Sequence, residues 1–284
     1  MPNFPIVDSH VHLFDIDRLR YGWLESVPKI NKSHTLRDYD NALGPVEVDK
    51  IVFAEVDVET GLHLEEAIWV QSLAEADSRL CGMVAYAPLT KGAGVEGDLI
   101  KLKENKTLRG IRHLMQNQMD QSYCLEPDFI TALNLLPKYD LSFDLCVKHW
   151  GLTFAIELAK RCPDVRFVLD HIGKPGIKHG LMEPWQAQMR ELAKYPNVVC
   201  KVSGVITEAD HQSWTADEIK PYVDHTISCF GFERSMFGSD WPVSVLSHEY
   251  TDWVDLCDEV IAGASLDEQQ NFYRNTAIQA YRLS

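Results

Sequence analysis

Residues 141–203 read LSFDLCVKHWGLTFAIELAKRCPDVRFVLDHIGKPGIKHGLMEPWQAQMRELAKYPNVVCKVS. Three short, apolar, β-rich runs stand in this stretch: Leu141–Val147, Val165–Asp170 and Asn197–Ser203. Between them lie Thr153–Arg161 and Trp185–Lys194, whose apolar residues recur at helical spacing. In the first, Phe154, Leu158 and Arg161 fall on one face. Pro163 and Pro196 sit where those helices should stop. Strands separated by helices of this length imply a parallel sheet, because each crossover needs a dozen or more residues.

The same unit repeats outward in both directions. Ile6–His12, Lys50–Val56, Cys81–Tyr86 and Leu108–His113 precede it, and Arg234–Asp240 follows. Leu62–Leu80, Ala216–Phe230 and Thr251–Ala262 carry helical periodicity, with Gly231 ending the second. Eight strand–helix units in 284 residues predict an α/β fold, a closed (β/α)8 TIM barrel, as one domain over residues 1–284. An extra C-terminal helix over Asp267–Arg282 is expected outside the barrel. The irregular stretch Phe14–Ser33 is expected to fold over the barrel mouth.

Composition narrows the function. Acidic residues number 42 against 27 basic, a formal charge of −15. Nucleic acid and anionic membranes call for a cationic surface, so neither is an expected partner. No run of about 18 apolar residues is present to span a bilayer. The N-terminal Met1–Pro5 has neither a basic segment nor an apolar one, so no secretory signal is expected there. Seven scattered cysteines without a C-x-x-C pair read as free thiols, hence a cytoplasmic location. Gly92–Gly97 spells G-x-G-x-x-G, but it follows the third strand and no acid ends the fourth. It reads as a flexible loop, not a dinucleotide site.

In a barrel of this kind, reactive groups project from the C-terminal ends of strands. That rule selects His10 and His12, which share a strand face at i, i+2, with Asp8 of the same parity one pleat below. It also selects Arg112 and His113 after strand 4, Lys148, His149 and Trp150 after strand 5, and Asp170 and His171 at strand 6. Lys201 in strand 7 and Asp240 and Trp241 at strand 8 complete the set. A single histidine at a strand end is commonly a structural hydrogen-bonding group. The i, i+2 pair with ionisable groups on four other strands outweighs that reading. His34, His63, His179, His211, His225 and His248 fall in helices or loops and are expected in solvent. Cys146 is expected in a packing role.

Several motifs resemble the amidohydrolase superfamily, within it the amidohydrolase 2 group of lactone hydrolases. They are Val7–Leu13 (VDSHVHL), Leu108–His113 (LRGIRH), Phe143–Val147 (FDLCV), Phe167–Pro175 (FVLDHIGKP) and Met236–Pro242 (MFGSDWP). The resemblance covers nearly the whole chain. It implies a hydrolase opening a lactone ring. Its members act on fucono- or rhamnonolactone-like sugar lactones, or on pyrone dicarboxylate and muconolactone-type compounds. A related branch contains zinc-dependent decarboxylases. Two-metal members carry a modified lysine or a glutamate at the end of strand 4, where this chain has Arg112 and His113. The departure implies one divalent ion, zinc or manganese, on His10, His12 and Asp240 with His171 beside them, or a metal-free reaction.

A lactone needs an activated water, a stabiliser for the oxyanion and a proton for the leaving alkoxide. Asp240 is the candidate base, read as the only carboxylate at a strand end facing the mouth. His10, His12 and His171 are the other catalytic candidates, as oxyanion donors or metal ligands. Arg112, His113, His149 and Lys201 are candidate substrate binders, and Trp23, Trp150 and Trp241 candidate faces for a sugar ring. Only Arg112 is placed at the mouth, since nothing fixes Arg18, Arg20 or Arg37 there. A dianion calls for several guanidinium groups. The balance therefore favours a neutral aldonolactone as the small-molecule partner, with a carboxylated lactone, a decarboxylation and an inactive sugar-acid binder as alternatives. A homo-oligomer is left open.

Overall fold

The computed structural model describes residues 2–118 and 120–284. Among them, eight parallel strands form one sheet in chain order: β1 (Ile6–Val11), β2 (Val48–Ala54), β3 (Leu80–Tyr86), β4 (Leu108–Arg112), β5 (Ser142–Leu145), β6 (Arg166–Leu169), β7 (Val198–Val202) and β8 (Ser235–Phe237). The ends meet through a parallel bridge between Val11 and Trp241. There the Asp240 N–H donates to the His10 carbonyl at 2.9 Å, and the His12 N–H to that of Trp241 at 2.7 Å. The result is a (β/α)8 barrel. All eight runs read from the sequence are strands, with ends displaced by at most three residues.

The helices are α1 (Leu36–Ala42), α2 (His63–Ala76), α3 (Glu96–Leu102), α4 (Pro127–Leu133), α5 (Leu152–Arg161), α6 (Trp185–Leu192), α7 (Ala216–Phe230), α8 (Tyr250–Val260), α9 (Leu266–Gln270) and α10 (Thr276–Tyr281). Reciprocal capping boxes, Thr35 with Asp38 and Thr215 with Glu218, start α1 and α7. Helices α1, α3 and α4 span seven residues each, too few for an apolar period to register. The glycine-rich stretch expected as a flexible loop is an ordered turn instead. Two 3-10 turns over Leu89–Val95 are broken at Gly92, which has φ +58°, and the second runs into α3.

Most of the apolar core lies between the sheet and the surrounding helices. A second, smaller core fills the lower barrel: Val7, Val52, Val84, Val168 and Met236. The C-terminal helix expected outside the barrel closes this end. Helix α9 continues through a π-turn (Asn271–Asn275) into α10, and Ala277, Tyr281 and Leu283 pack against those five side chains. Leu283 seats on Gly82, where an added Cβ would lie 2.9 Å from Leu283 Cδ2. Without this plug the lower barrel residues would face water, so burial drives the placement.

The Phe14–Ser33 stretch does fold over the mouth. It pairs back through Phe14 and His34, and the Trp23 indole N–H donates to the Val56 carbonyl at 2.8 Å.

Candidate active site

A small cavity of about 150 Å³ opens at the C-terminal ends of the strands. Asp240 sits on its wall with φ +60°, and His171 with φ +54°. Non-glycine residues in that region are uncommon and cluster at functional sites. Asp240 Oδ1 lies 3.3 Å from His12 Nε2, 3.7 Å from His10 Nε2 and 3.9 Å from His171 Nε2. Three histidines from two strand ends thus converge on one carboxylate oxygen of a third. Asp8 does not join them. A register shift between Asp8 and Val11 turns it behind the wall, where its Oδ2 accepts from Tyr39 at 2.8 Å and Tyr250 at 3.1 Å.

The hydrogen-bond directions are informative. His12 Nδ1 meets the Ala54 carbonyl at 2.9 Å; a carbonyl only accepts, so Nδ1 carries the proton and the Nε2 lone pair faces the cavity. Arg112 Nη1 lies 3.3 Å from His10 Nε2. A guanidinium only donates, so that nitrogen also presents a lone pair. The two Nε2 atoms are 3.2 Å apart. His12 Nε2, His10 Nε2 and Asp240 Oδ1 lie close enough together to be ligands of one cation. A tetrahedral ion with ligands at about 2.1 Å separates them by about 3.4 Å, which the spacings of His10, His12 and Asp240 match. These three residues fit a single divalent ion. The Arg112 guanidinium lies 3.3 Å from His10 Nε2 and 3.2 Å from Asp170 Oδ2, and its charge opposes a second cation beside them.

Burial opposes the charge on Asp240, but His171, His12 and His10 outweigh it and hold the carboxyl below its ordinary range. Burial also pushes His171 down to about 3, against the pull of Asp240. At neutral pH the carboxylate is ionised and that imidazole neutral. Burial drives Cys146 up to about 12 despite nearby Arg112. It lines the cavity as a thiol, not as a nucleophile.

Asp240 is not the only carboxylate at a strand end. Glu55, just past β2, accepts from Arg112 Nε at 2.7 Å, and its carbonyl from Nη2. Asp170, just past β6, accepts from Arg112 Nη1 at 3.2 Å and pairs with Lys201 at 3.0 Å. Both acids are fully buried and paired with cations, Asp170 Oδ1 also lying 3.4 Å from His10 Nδ1, which leaves Asp240 as the carboxylate of these three on the cavity wall. An acid inside an apolar run, as in KIVFAEV and FDLCV, was the available signal for Glu55 and Asp144.

The predicted substrate binders separate by strand alternation. Arg112, His12, His171, Asp240 and Trp23 line the cavity. His113 follows Arg112 and points the other way, buried among Tyr86, Tyr123 and Phe129. Trp241 follows Asp240 and packs on His34 and Tyr39. Lys201 is fully buried below His10 and does not reach the cavity wall. His149 and Trp150 line a neighbouring groove with Lys178 and Thr207. Residues missed by sequence reasoning include Asp57, Gln116, Asn117 and Lys174, all on the cavity wall. Of the histidines expected in solvent, His179 and His211 are exposed, but His34 and His248 are buried. His34 is held against Phe14 and Trp241; His248 lies between Trp214 and Trp253.

Gly204 has φ +54° and lies against the site. An added Cβ would fall 2.6 Å from His171 Nδ1 and 2.7 Å from Asp240 Oδ2. Gly204→Ala should therefore displace both groups, lowering kcat at least tenfold and destabilising the fold by about 1–3 kcal/mol. Steady-state kinetics and a denaturant titration read the two effects; a variant with wild-type kcat would show that this contact does not constrain the site.

Known proteins share this architecture. The L-fucono-1,5-lactonase of Burkholderia ambifaria is 29% identical over 284 residues, covering 98% of this chain and 95% of that one. A protein of Sinorhizobium fredii, y4mH, described as uncharacterized, is 30% identical over 301 residues and the whole of both chains. A crystal structure of a Burkholderia multivorans amidohydrolase with bound zinc superposes with a TM-score of 0.88 at 27% identity, covering 99% of this chain and all of that one. The amidohydrolase family model matches residues 7–283, and the chain belongs to that family.

Proposed function

We propose that this protein hydrolyses a lactone, and that its substrate is a neutral sugar lactone of the aldonic type. The observation that carries the reading is the cavity itself. One end presents Asp240 with His12 and His171, His10 lying just behind them; other polar walls are Asp57, Gln116, Asn117 and Lys174. Amides and a carboxylate suit sugar hydroxyls, and the Trp23 ring offers an apolar face. Arg112, the one arginine on the wall, already serves Glu55 and Asp170, and Lys174 pairs with Glu208 at 3.5 Å. Arg20 pairs with Glu59 at 3.8 Å, and neither it nor Arg18 or Arg37 lines the cavity. A dianion would find no free guanidinium and would meet Asp57. The relationship to L-fucono-1,5-lactonase agrees with a sugar lactone.

The ring opens by attack of water on the ester carbonyl. Asp240 accepts the water proton. Its Oδ1 is shared by the imidazoles, and its Oδ2 lies beside the Gly204 turn. Neutral His171 is placed to donate to the developing oxyanion. The proton taken by Asp240 then passes to the ring oxygen as the C–O bond breaks, so acid and alcohol leave with the base restored. His10 Nε2, His12 Nε2 and Asp240 Oδ1 would hold a divalent ion, and the zinc in the Burkholderia multivorans amidohydrolase supports that assignment. Such an ion, when bound, supplies Lewis acidity toward a carbonyl and acidifies water.

Proton release from a panel of neutral aldonolactones and carboxylated lactones, at two ionic strengths, tests the reading. The expected result is a kcat/KM at least tenfold higher for a neutral aldonolactone, with acid formed and no CO2. A preference for a carboxylated lactone that weakens with salt would remove the sugar assignment. CO2 from an aromatic acid would remove the lactone assignment.

A further inference from the structure

Four consecutive residues after β6 turn with the hand that L-amino acids disfavour. His171, Ile172, Gly173 and Lys174 have φ of +54°, +49°, +72° and +46°, and the Lys174 N–H donates to the His171 carbonyl at 2.9 Å to close a left-handed turn. Glycine enters that region freely, but the other three carry a Cβ, and for β-branched Ile172 it is a true outlier. Such a turn persists only where its surroundings impose it.

The hand has a use. In a turn of three residues, side chains at i and i+3 eclipse one another. His171 and Lys174 accordingly both line the catalytic cavity, while Ile172 between them is fully buried in the core. Relaxation toward the right-handed region would re-aim both wall residues at once.

Three anchors oppose that relaxation. The Ile172 carbonyl accepts from the Trp185 indole N–H at 2.7 Å. Gly173 lies under Leu152, where an added Cβ would come within 2.8 Å of Leu152 Cδ2. The Lys174 carbonyl accepts twice from one residue, His149: from its backbone N–H at 3.2 Å and from its ring Nδ1 at 3.1 Å. A carbonyl only accepts, so Nδ1 carries a hydrogen. Trp185 and Leu152 are core residues, whereas the His149 ring is half-buried on the neighbouring groove. That ring is therefore the anchor that can be altered without opening a void in the core.

We infer that His149 is a positioning residue for His171 and Lys174: its ring N–H, bound to the Lys174 carbonyl, holds the left-handed turn that sets both side chains on the cavity wall. Its sequence position made it a candidate substrate binder. It lies outside the cavity lining and acts through the backbone of a wall residue.

Three variants of the full-length protein test this: His149→Ala, His149→Asn and His149→Gln. Both amides carry an N–H2 donor. That of asparagine hangs from Cγ, as Nδ1 does, and that of glutamine lies one bond further out, at the position of Nε2. Amide hydrogen exchange at Lys174, whose N–H closes the turn, should quicken at least about tenfold in His149→Ala and His149→Gln and stay within threefold of wild type in His149→Asn. The value of kcat/KM for the lactone should follow the same order, falling at least about tenfold in the first two, because small displacements of positioned groups cost rate steeply. Melting temperatures should lie close together, so a general loss of stability would not produce this ranking. A His149→Ala protein with wild-type exchange at Lys174 overturns the inference. So does rescue by glutamine and not by asparagine, which would make the ring act through Nε2 as a binder. If His149→Ala does not fold, equal exchange in the asparagine and glutamine variants overturns it. Only the kinetic arm rests on the lactone reading; a wild type that opens no lactone defeats that reading, while exchange at Lys174 still decides this one.

Discussion

Asp240→Asn should lower kcat by at least about a hundredfold, the lower range for losing general-base assistance. The change keeps shape and removes the charge on which His10, His12 and His171 converge. It also replaces an acceptor oxygen with an amide whose N–H2 cannot take a proton from water. The backbone there is held by the Asp240 N–H bond to the His10 carbonyl, which the substitution leaves in place. Circular dichroism and melting temperature should therefore stay close to wild type. A variant within threefold of wild-type kcat would remove Asp240 from the reaction.

Stripping metal should have an effect of similar size. Exhaustive chelation is expected to lower turnover at least about a hundredfold, since Lewis-acid assistance to a carbonyl contributes several kcal/mol. One equivalent of zinc per chain should restore it, as measured by elemental analysis alongside activity. His12→Ala should lose that equivalent, because His12 Nε2 is one of the three converging donors. Retention of two equivalents after dialysis would contradict the arrangement in which the Arg112 guanidinium flanks His10 Nε2 at 3.3 Å. Unchanged turnover after chelation would remove the ion from the reaction.

The barrel and the upper layer of its site were legible in the sequence because both follow from local periodicity. Apolar runs of β-type composition alternating with helical stretches state a parallel sheet, and eight of them state closure. The position of a residue at a strand's end then names His10, His12, Arg112, His171 and Asp240, all of which reach the catalytic cavity apart from His10, which lies just behind its wall in contact with His12 and Arg112. Neighbours in sequence, His113 beside Arg112 and Trp241 beside Asp240, could be separated by alternation alone. The register shift in β1 is a different case. It depends on how β1 meets β2, and it separates Asp8, held behind the wall by Tyr39 and Tyr250, from His12, which lines the cavity.

Everything beneath the site belongs to tertiary structure. Glu55, Asp144 and Asp170 are acids in apolar runs; whether each is a base, a metal ligand or a counter-ion depends on which cation lies opposite. Arg112 pairs with Glu55 across 57 positions and Lys201 with Asp144 across 57, while Tyr281 meets Asp144 across 137. No local pattern encodes such separations. They arise because the ring of strands brings distant side chains into one interior of low dielectric, where each charge must find a partner. The placement of the last helix has the same origin: its amphipathic sequence states that one face must be buried, and only the closed barrel supplies the open apolar end that buries it.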